Sequence, residues 1–249
     1  MPDTIQRGLL RRTLNAIVLL TETNNLDDVD IRMVLFNRLN TGGIQLNPHE
    51  LRNAIYPSKF NDLIKSLSRS DLFTRLWGIP KKEKDEEVRP SRTLSKNLLY
   101  KSMLDCELVL RFYSIREAVR GKYKGSLRTI LDKSIQSHES DTEMENQSNE
   151  AIFTQTLSGL DTLFKGKQYI SLPDTKRLSR PLYDALTVSY SFALESQVID
   201  LNIDALTRLN DALSIPAKYE ILIGRGNTLQ AIKDRVILAY NILTAKDFE

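Results

Sequence analysis

Phe36-Asn37-Arg38-Leu39-Asn40-Thr41-Gly42-Gly43-Ile44-Gln45-Leu46-Asn47-Pro48-His49-Glu50-Leu51-Arg52-Asn53-Ala54 is the stretch on which the reading of this chain turns. Its first half closes a helix. Val29, Met33, Phe36 and Leu39 recur at helical spacing, with Asp27 or Asp28 as N-cap, and Asn40-Thr41-Gly42-Gly43 breaks the pattern because adjacent glycines reach positive φ at little cost. Its second half opens another. Asn47 suits the N-cap, Pro48 the first helical position, and Glu50 can reach back to the cap amide as in a capping box. That helix should run from Pro48 to about Tyr56 and end at Pro57.

The same stretch holds the densest cluster of polar groups in the chain: Arg38, Asn40, Thr41, Gly42, Gly43, Asn47, Glu50, Arg52 and Asn53. Successive amides at such a turn can form an anion-binding nest, and a fresh helix N-terminus adds exposed N–H groups and a favourable dipole. Arg38 and Arg52 bring guanidinium donors suited to phosphate. Physics alone makes this a weak signal, since most glycine turns before capped helices are only connections.

Working outward, Thr4 to Arg12 reads as a short basic helix and Leu14 to Leu20 as a strand, apolar and β-branched, with a loop behind it. Apolar periodicity marks helices over Phe60 to Leu67, around Leu72 to Trp77, and from Leu98 to about Val119. Gly78 to Lys96 between them is loop-like. Lys81 to Glu87 contains no apolar residue and reads as a mobile, solvated connection. Ser137 to Glu150 is acidic and polar, the best candidate for a flexible linker. Further helices are expected over Ala151 to Phe164, Arg180 to Leu194, Ile203 to Leu213 and Leu229 to Leu243, with turns at Gly166, Pro173, Asp200 and Gly224-Arg225-Gly226. The expected class is α+β and mainly α: residues 1–78 with one or two strands, a charged loop at 79–97, and a helical domain over 98–249.

With 249 residues, 41% of them apolar and 27% charged, the chain has the composition of a globular protein with a sizeable core. No apolar run is long enough to span a bilayer, so the expectation is a cytoplasmic protein with no membrane partner. Cys106, the single cysteine, lies in an apolar stretch and reads as buried and inert. Two histidines, His49 and His138, are too few for a zinc site or for a cysteine–histidine nucleophile. The net charge of +3 hides an asymmetry: up to residue 128 there are 23 Lys+Arg against 15 Asp+Glu, and beyond it 12 against 17. A basic front half is compatible with a phosphate-bearing partner, although charged helix faces are usually just solvated.

Other polar groups are weaker candidates. Asp27-Asp28-Asp30 is explained by the macrodipole of the helix it starts. Asp85-Glu86-Glu87 has no apolar neighbours to shift a pKa. Glu107 and Arg111, four apart, are expected to pair on one helix face. Arg225, in its glycine-flanked loop ahead of an N-cap at Asn227 or Thr228, could face a phosphate or solvent. There is no phosphate loop, nucleophile elbow or zincin motif.

Read as FNRLNTGGIQLNPHELRNA, the opening stretch resembles the signature of the N-terminal-domain family of GmrSD restriction enzymes. The resemblance continues through Glu107 to Phe112 (ELVLRF), and more loosely through Leu157 to Phe164 and Asn227 to Arg235. It implies a partial ParB/sulfiredoxin-like domain followed by a helical region. It also implies a role in bacterial defence against foreign, often modified, DNA, with a nucleoside triphosphate and Mg as cofactor. Arg38, Asn40, Thr41, Gly42 and Gly43 match the family's turn and would line its nucleotide or phosphate site; Glu50, Arg52 and Asn53 match the helix after it.

The family carries its nucleotide chemistry on a DGQQR-like motif that this sequence does not contain, and would place it, with further strands, ahead of Met1. The expectation is therefore a non-catalytic or partner-dependent remnant that binds nucleotide or nucleic-acid phosphate. DNA is one expected partner, and a subunit supplying the missing strands or a nuclease domain is another. A helical interaction scaffold and an intact NTP hydrolase acting in modified-DNA restriction are the alternatives.

Overall fold

The computed structural model describes residues 46–249, apart from 87, 202, 225, 247 and 249, together with 32 and 35. The expected strand at Leu14 to Leu20, the helix from Thr4 and the turn at Asn40 to Gly43 lie outside the described residues. Within them the chain is mainly helical, with twelve helices and one isolated antiparallel bridge between Ser171 and Leu178. No helix among them is long and apolar enough to cross a membrane.

The capped helix appears as read: α1 is Pro48–Ile55, with the Asn47 side chain accepting from the His49 and Glu50 amides and Glu50 returning to the Asn47 amide. Two short helices follow, α2 (Lys59–Leu67) and α3 (Asp71–Trp77), the latter closed by Gly78 at φ 64°, a left-handed conformation that glycine adopts without strain. After α4 (Arg92–Lys96), the single periodic stretch expected from Leu98 to Val119 divides into α5 (Leu98–Lys101) and α6 (Leu104–Val119). Met103, at φ 51°, breaks it.

Beyond α7 (Leu127–Ser137), most of the acidic segment expected as a linker is helical. Residues 143–150 are the first turns of α8 (Glu143–Leu163). Thr142 and Glu145 form a second capping box there, and acidic residues at a helix N-terminus are favoured by its dipole. Composition suggested disorder where the charges were serving as a cap.

The core is organised around α9 (Arg180–Glu195), in which every residue from Leu182 to Ala193 is buried. It lies against α8, α6 and the last helix α12 (Leu229–Thr244), while α10 (Ala205–Ser214) and α11 (Pro216–Ile223) cover α12. In a helix buried all round, small polar side chains turn to backbone carbonyls. Thr187 and Ser189 donate to the carbonyls of Tyr183 and Ala185, and Ser189 also contacts the Val236 carbonyl at 2.7 Å. Gly159 lets α8 approach, since a Cβ there would sit 2.2 Å from the Tyr190 hydroxyl.

Candidate anion-binding cleft

Five of the residues expected to line a phosphate site, Arg38, Asn40, Thr41, Gly42 and Gly43, lie outside the described residues. The other four are engaged by the protein itself. The Asn47 amide group, besides capping α1, donates to the Ser102 carbonyl at 2.7 Å, and Glu50 completes the cap. The Asn53 side-chain oxygen accepts from Asn61 at 2.8 Å. Arg52 is 1% exposed, with Nε 2.6 Å from Asp132 and Nη1 3.1 Å from Glu107. Arg52 does meet Arg111, Arg128 and Asn227 around a shallow cleft of about 330 Å³. Its own charge there is balanced by carboxylates from α6 and α7.

The expected Glu107–Arg111 pairing is replaced. Glu107 turns to Arg52, while Arg111 faces α9 and is paired, buried, with Asp184. Burial opposes the Arg111 charge, but the adjacent Asp184 carboxylate more than offsets it and holds the pKa above its usual value. The role is structural, as the sequence suggested, with a different partner.

The histidines are also placed by packing. His49 is fully buried with neither ring nitrogen hydrogen-bonded, and burial, reinforced by Arg52 and Lys65, lowers its pKa to about 3. His138 stacks on Phe60 with ring centroids 4.2 Å apart. Its nitrogens lie 2.6 Å from Asp141 and 3.2 Å from Glu117. Burial disfavours its charge, yet those carboxylates raise its pKa overall. Among the described residues, no group of His, Cys, Asp and Glu side chains is arranged to hold a metal ion.

A second cleft, of about 690 Å³, opens between α2, the 80–86 segment and the start of α6. Arg69 forms part of its wall from the connection between α2 and α3. The Arg69 Nε and Nη2 donate to the two oxygens of Glu86 at 2.7 and 2.8 Å, Nη2 also reaches the Pro80 carbonyl at 2.9 Å, and the guanidinium sits 5.4 Å from the centre of the Tyr100 ring. Glu86 is only 3% exposed. The reading of Asp85-Glu86-Glu87 as a solvated run is therefore corrected at Glu86, which is buried and paired with an arginine from another part of the chain. Asp85 is exposed and residue 87 lies outside the described residues. Hydrogen bonding from Arg69, working against burial, holds the Glu86 carboxyl below its usual range.

The arginine is left with a donor to spare. Nη1 is buried and has no hydrogen-bond partner, a rare condition for a charged nitrogen in a folded protein. Lys65, Lys82 and Lys101 share the cleft lining with Arg69, Lys82 and Lys101 exposed and Lys65 3.3 Å from Asp62. Asp105, the second residue of α6, lies in the same cleft at 2% exposure and accepts the Cys106 amide at 2.9 Å. Burial raises its pKa to about 6, partly countered by that amide and by Arg69. Cys106 is buried as expected, and desolvation together with Asp105 pushes its thiol up to about 12, which leaves it an inert thiol near neutral pH.

Sequence reasoning missed Arg69, Glu86, Asp105 and the three lysines. Arg69 and Glu86 are 17 residues apart and Asp105 lies further on, so no motif joins them. The one available signal was the arginine between two serine caps, Ser68-Arg69-Ser70, in a connection too short to let its side chain move far from the helices. No family model matches this chain, and no curated protein or solved structure matches it.

Proposed function

We propose that this chain binds phosphate groups, as a non-catalytic or partner-dependent protein of a bacterial DNA-defence system of the restriction type, and that the Arg69 cleft is where it holds them. One observation carries the binding half of this reading: a buried guanidinium donor with no partner, in a cleft bearing three lysines. A buried N–H that cannot reach protein acceptors recovers its lost hydrogen bond when an anion enters. The defence half rests on the resemblance of Phe36 to Ala54 to the GmrSD N-terminal-domain signature.

The test is equilibrium binding of a nucleoside triphosphate and of single- and double-stranded oligonucleotides, each in competition with sulfate, to the wild type and to Arg69→Lys. Lysine keeps the charge that Glu86 needs but loses the fork and its spare nitrogen. The expected result is sulfate-competable binding by the wild type. The variant should bind tenfold or more weakly, with an unfolding midpoint close to that of the wild type. A wild type that binds none of these ligands, or a variant that binds them equally well, overturns the reading.

A further inference from the structure

Asp105 is an unusual neighbour for an anion. Its carboxyl is buried in the wall that also holds Arg69, its hydrogen bond comes from the Cys106 amide, and no lysine or arginine lies within ion-pair distance of it among the described residues. The cation that acts on it, Arg69, is committed through two of its nitrogens to Glu86. With Glu86 cancelling Arg69, an ionised Asp105 would leave the floor of the cleft negative, and an entering phosphate would face that charge at low dielectric. The rim lysines, Lys65, Lys82 and Lys101, are partly or fully exposed, and water screens their fields.

Resting on the phosphate-binding reading, we infer that Asp105 is the specificity-determining residue of the cleft: it joins the anion complex as a neutral carboxylic acid that donates a hydrogen bond to an anion oxygen. Ligand binding and proton uptake are then one event. Neutral Asp105 and the spare Arg69 nitrogen together offer two donors to an oxyanion, and the repulsion disappears.

The other titratable groups facing Asp105 do not supply the proton. Tyr100 is raised by burial and stays neutral, Cys106 is held neutral near 12, and Glu86 is held ionised by Arg69. Burial raises Asp105 itself to about 6, so at pH 7 the free cleft carries it mostly ionised, poised to take up a proton. An oxyanion without acceptor capacity at this point gains nothing from the neutral acid, so the site favours ligands with several oxygens on one centre, such as phosphate esters and sulfate.

Sulfate is the probe, because it remains a dianion across the useful pH range and contributes no proton of its own. Calorimetric titration of the full chain in two buffers of different ionisation enthalpy should show uptake of about 0.9 proton per sulfate bound at pH 7. Affinity should fall roughly tenfold per pH unit above pH 6. Asp105→Asn keeps an acceptor for the Cys106 amide and a permanent donor for the anion. It should bind sulfate with no proton uptake and with affinity flat from pH 6 to 8. Wild-type binding without uptake, or an Asp105→Asn variant that retains the wild-type pH dependence, overturns this inference and leaves the phosphate-binding reading standing. Absence of sulfate binding at every pH overturns both.

Discussion

Arg52 and Arg69 sit in two regions built to the same plan, yet they end differently. Each is a buried arginine near one end of a short helix, and each is held by carboxylates from distant segments. Arg52 meets two, Asp132 and Glu107, so the negative charge around it exceeds its own. Arg69 meets one, Glu86, through a side-on fork, and keeps a buried nitrogen without an acceptor. The first arrangement is closed: it ties α1 to α6 and α7. The second forms part of a cleft wall. Arginine content therefore says little about binding until the number of carboxylates around each guanidinium is known.

The largest effect that separates the two is on stability. Arg52→Ala strands Glu107 and Asp132 beside a buried cavity and should cost about 3–5 kcal/mol in urea unfolding followed at Trp77, while sulfate affinity stays at the wild-type level. A cost below about 1 kcal/mol would mean that Arg52 is not the closed site described.

In the cleft the sign reverses. Because folding raises the Asp105 pKa from 3.8 to about 6, the unfolded chain ionises first as pH rises, and stability is lost between those values and not regained above them. Asp105→Asn should therefore stabilise the protein above pH 6 by up to about 3 kcal/mol, with the gain fading to nothing near pH 4. A variant less stable than the wild type at pH 7 would contradict that description of the cleft.

His49 sharpens the contrast from the Arg52 side. Its folded pKa lies below the unfolded value, so the contribution of the neutral ring is intact above pH 6.5 and is lost as pH falls toward 3. Between pH 6.5 and 5 that loss amounts to about 2 kcal/mol. His49→Leu should flatten this part of the stability profile. His138 has the opposite sign, being held charged by Glu117 and Asp141, so its contribution is present below pH 6.5 and fades as pH rises through its higher folded value. A slope unchanged in His49→Leu would shift the explanation to other groups. The smallest expected effect is at the rim: Lys82→Ala and Lys101→Ala should each weaken sulfate binding about two- to threefold at low salt and hardly at all at high salt, since exposed charges are screened.

The two capping boxes illustrate how far local chemistry reaches. Asn47-Pro48-His49-Glu50 could be read directly because a cap is built from residues three apart, and the helix it starts is found where it was expected. Thr142 to Glu145 has the same logic but was obscured by the acidity around it, which average composition reads as a linker. The apolar period gave α2, α3, α9, α10 and α12 to within a few residues. It ran α5 and α6 together, since nothing in the local pattern marks Met103 as left-handed, and it did not register α7 or α11, nor α4, which lies in the segment expected as a charged loop.

By itself the sequence determined many of the segments that become helices, where several of them start, and that Cys106 would be buried, because those outcomes depend on neighbours within a turn or two. It also set the expectation that arginines and a capped turn serve a phosphate. Only the tertiary structure decided which arginines are closed off by carboxylates and which, like Arg69, keep a buried donor without a partner. That choice depends on where Glu86, Glu107, Asp132 and Asp184 arrive from 17 to 80 residues away, and on burial, which turns a side chain such as Asp105 from a solvated charge into a proton acceptor near neutral pH. Electrostatic roles are set by partners and dielectric, and both are properties of the folded chain.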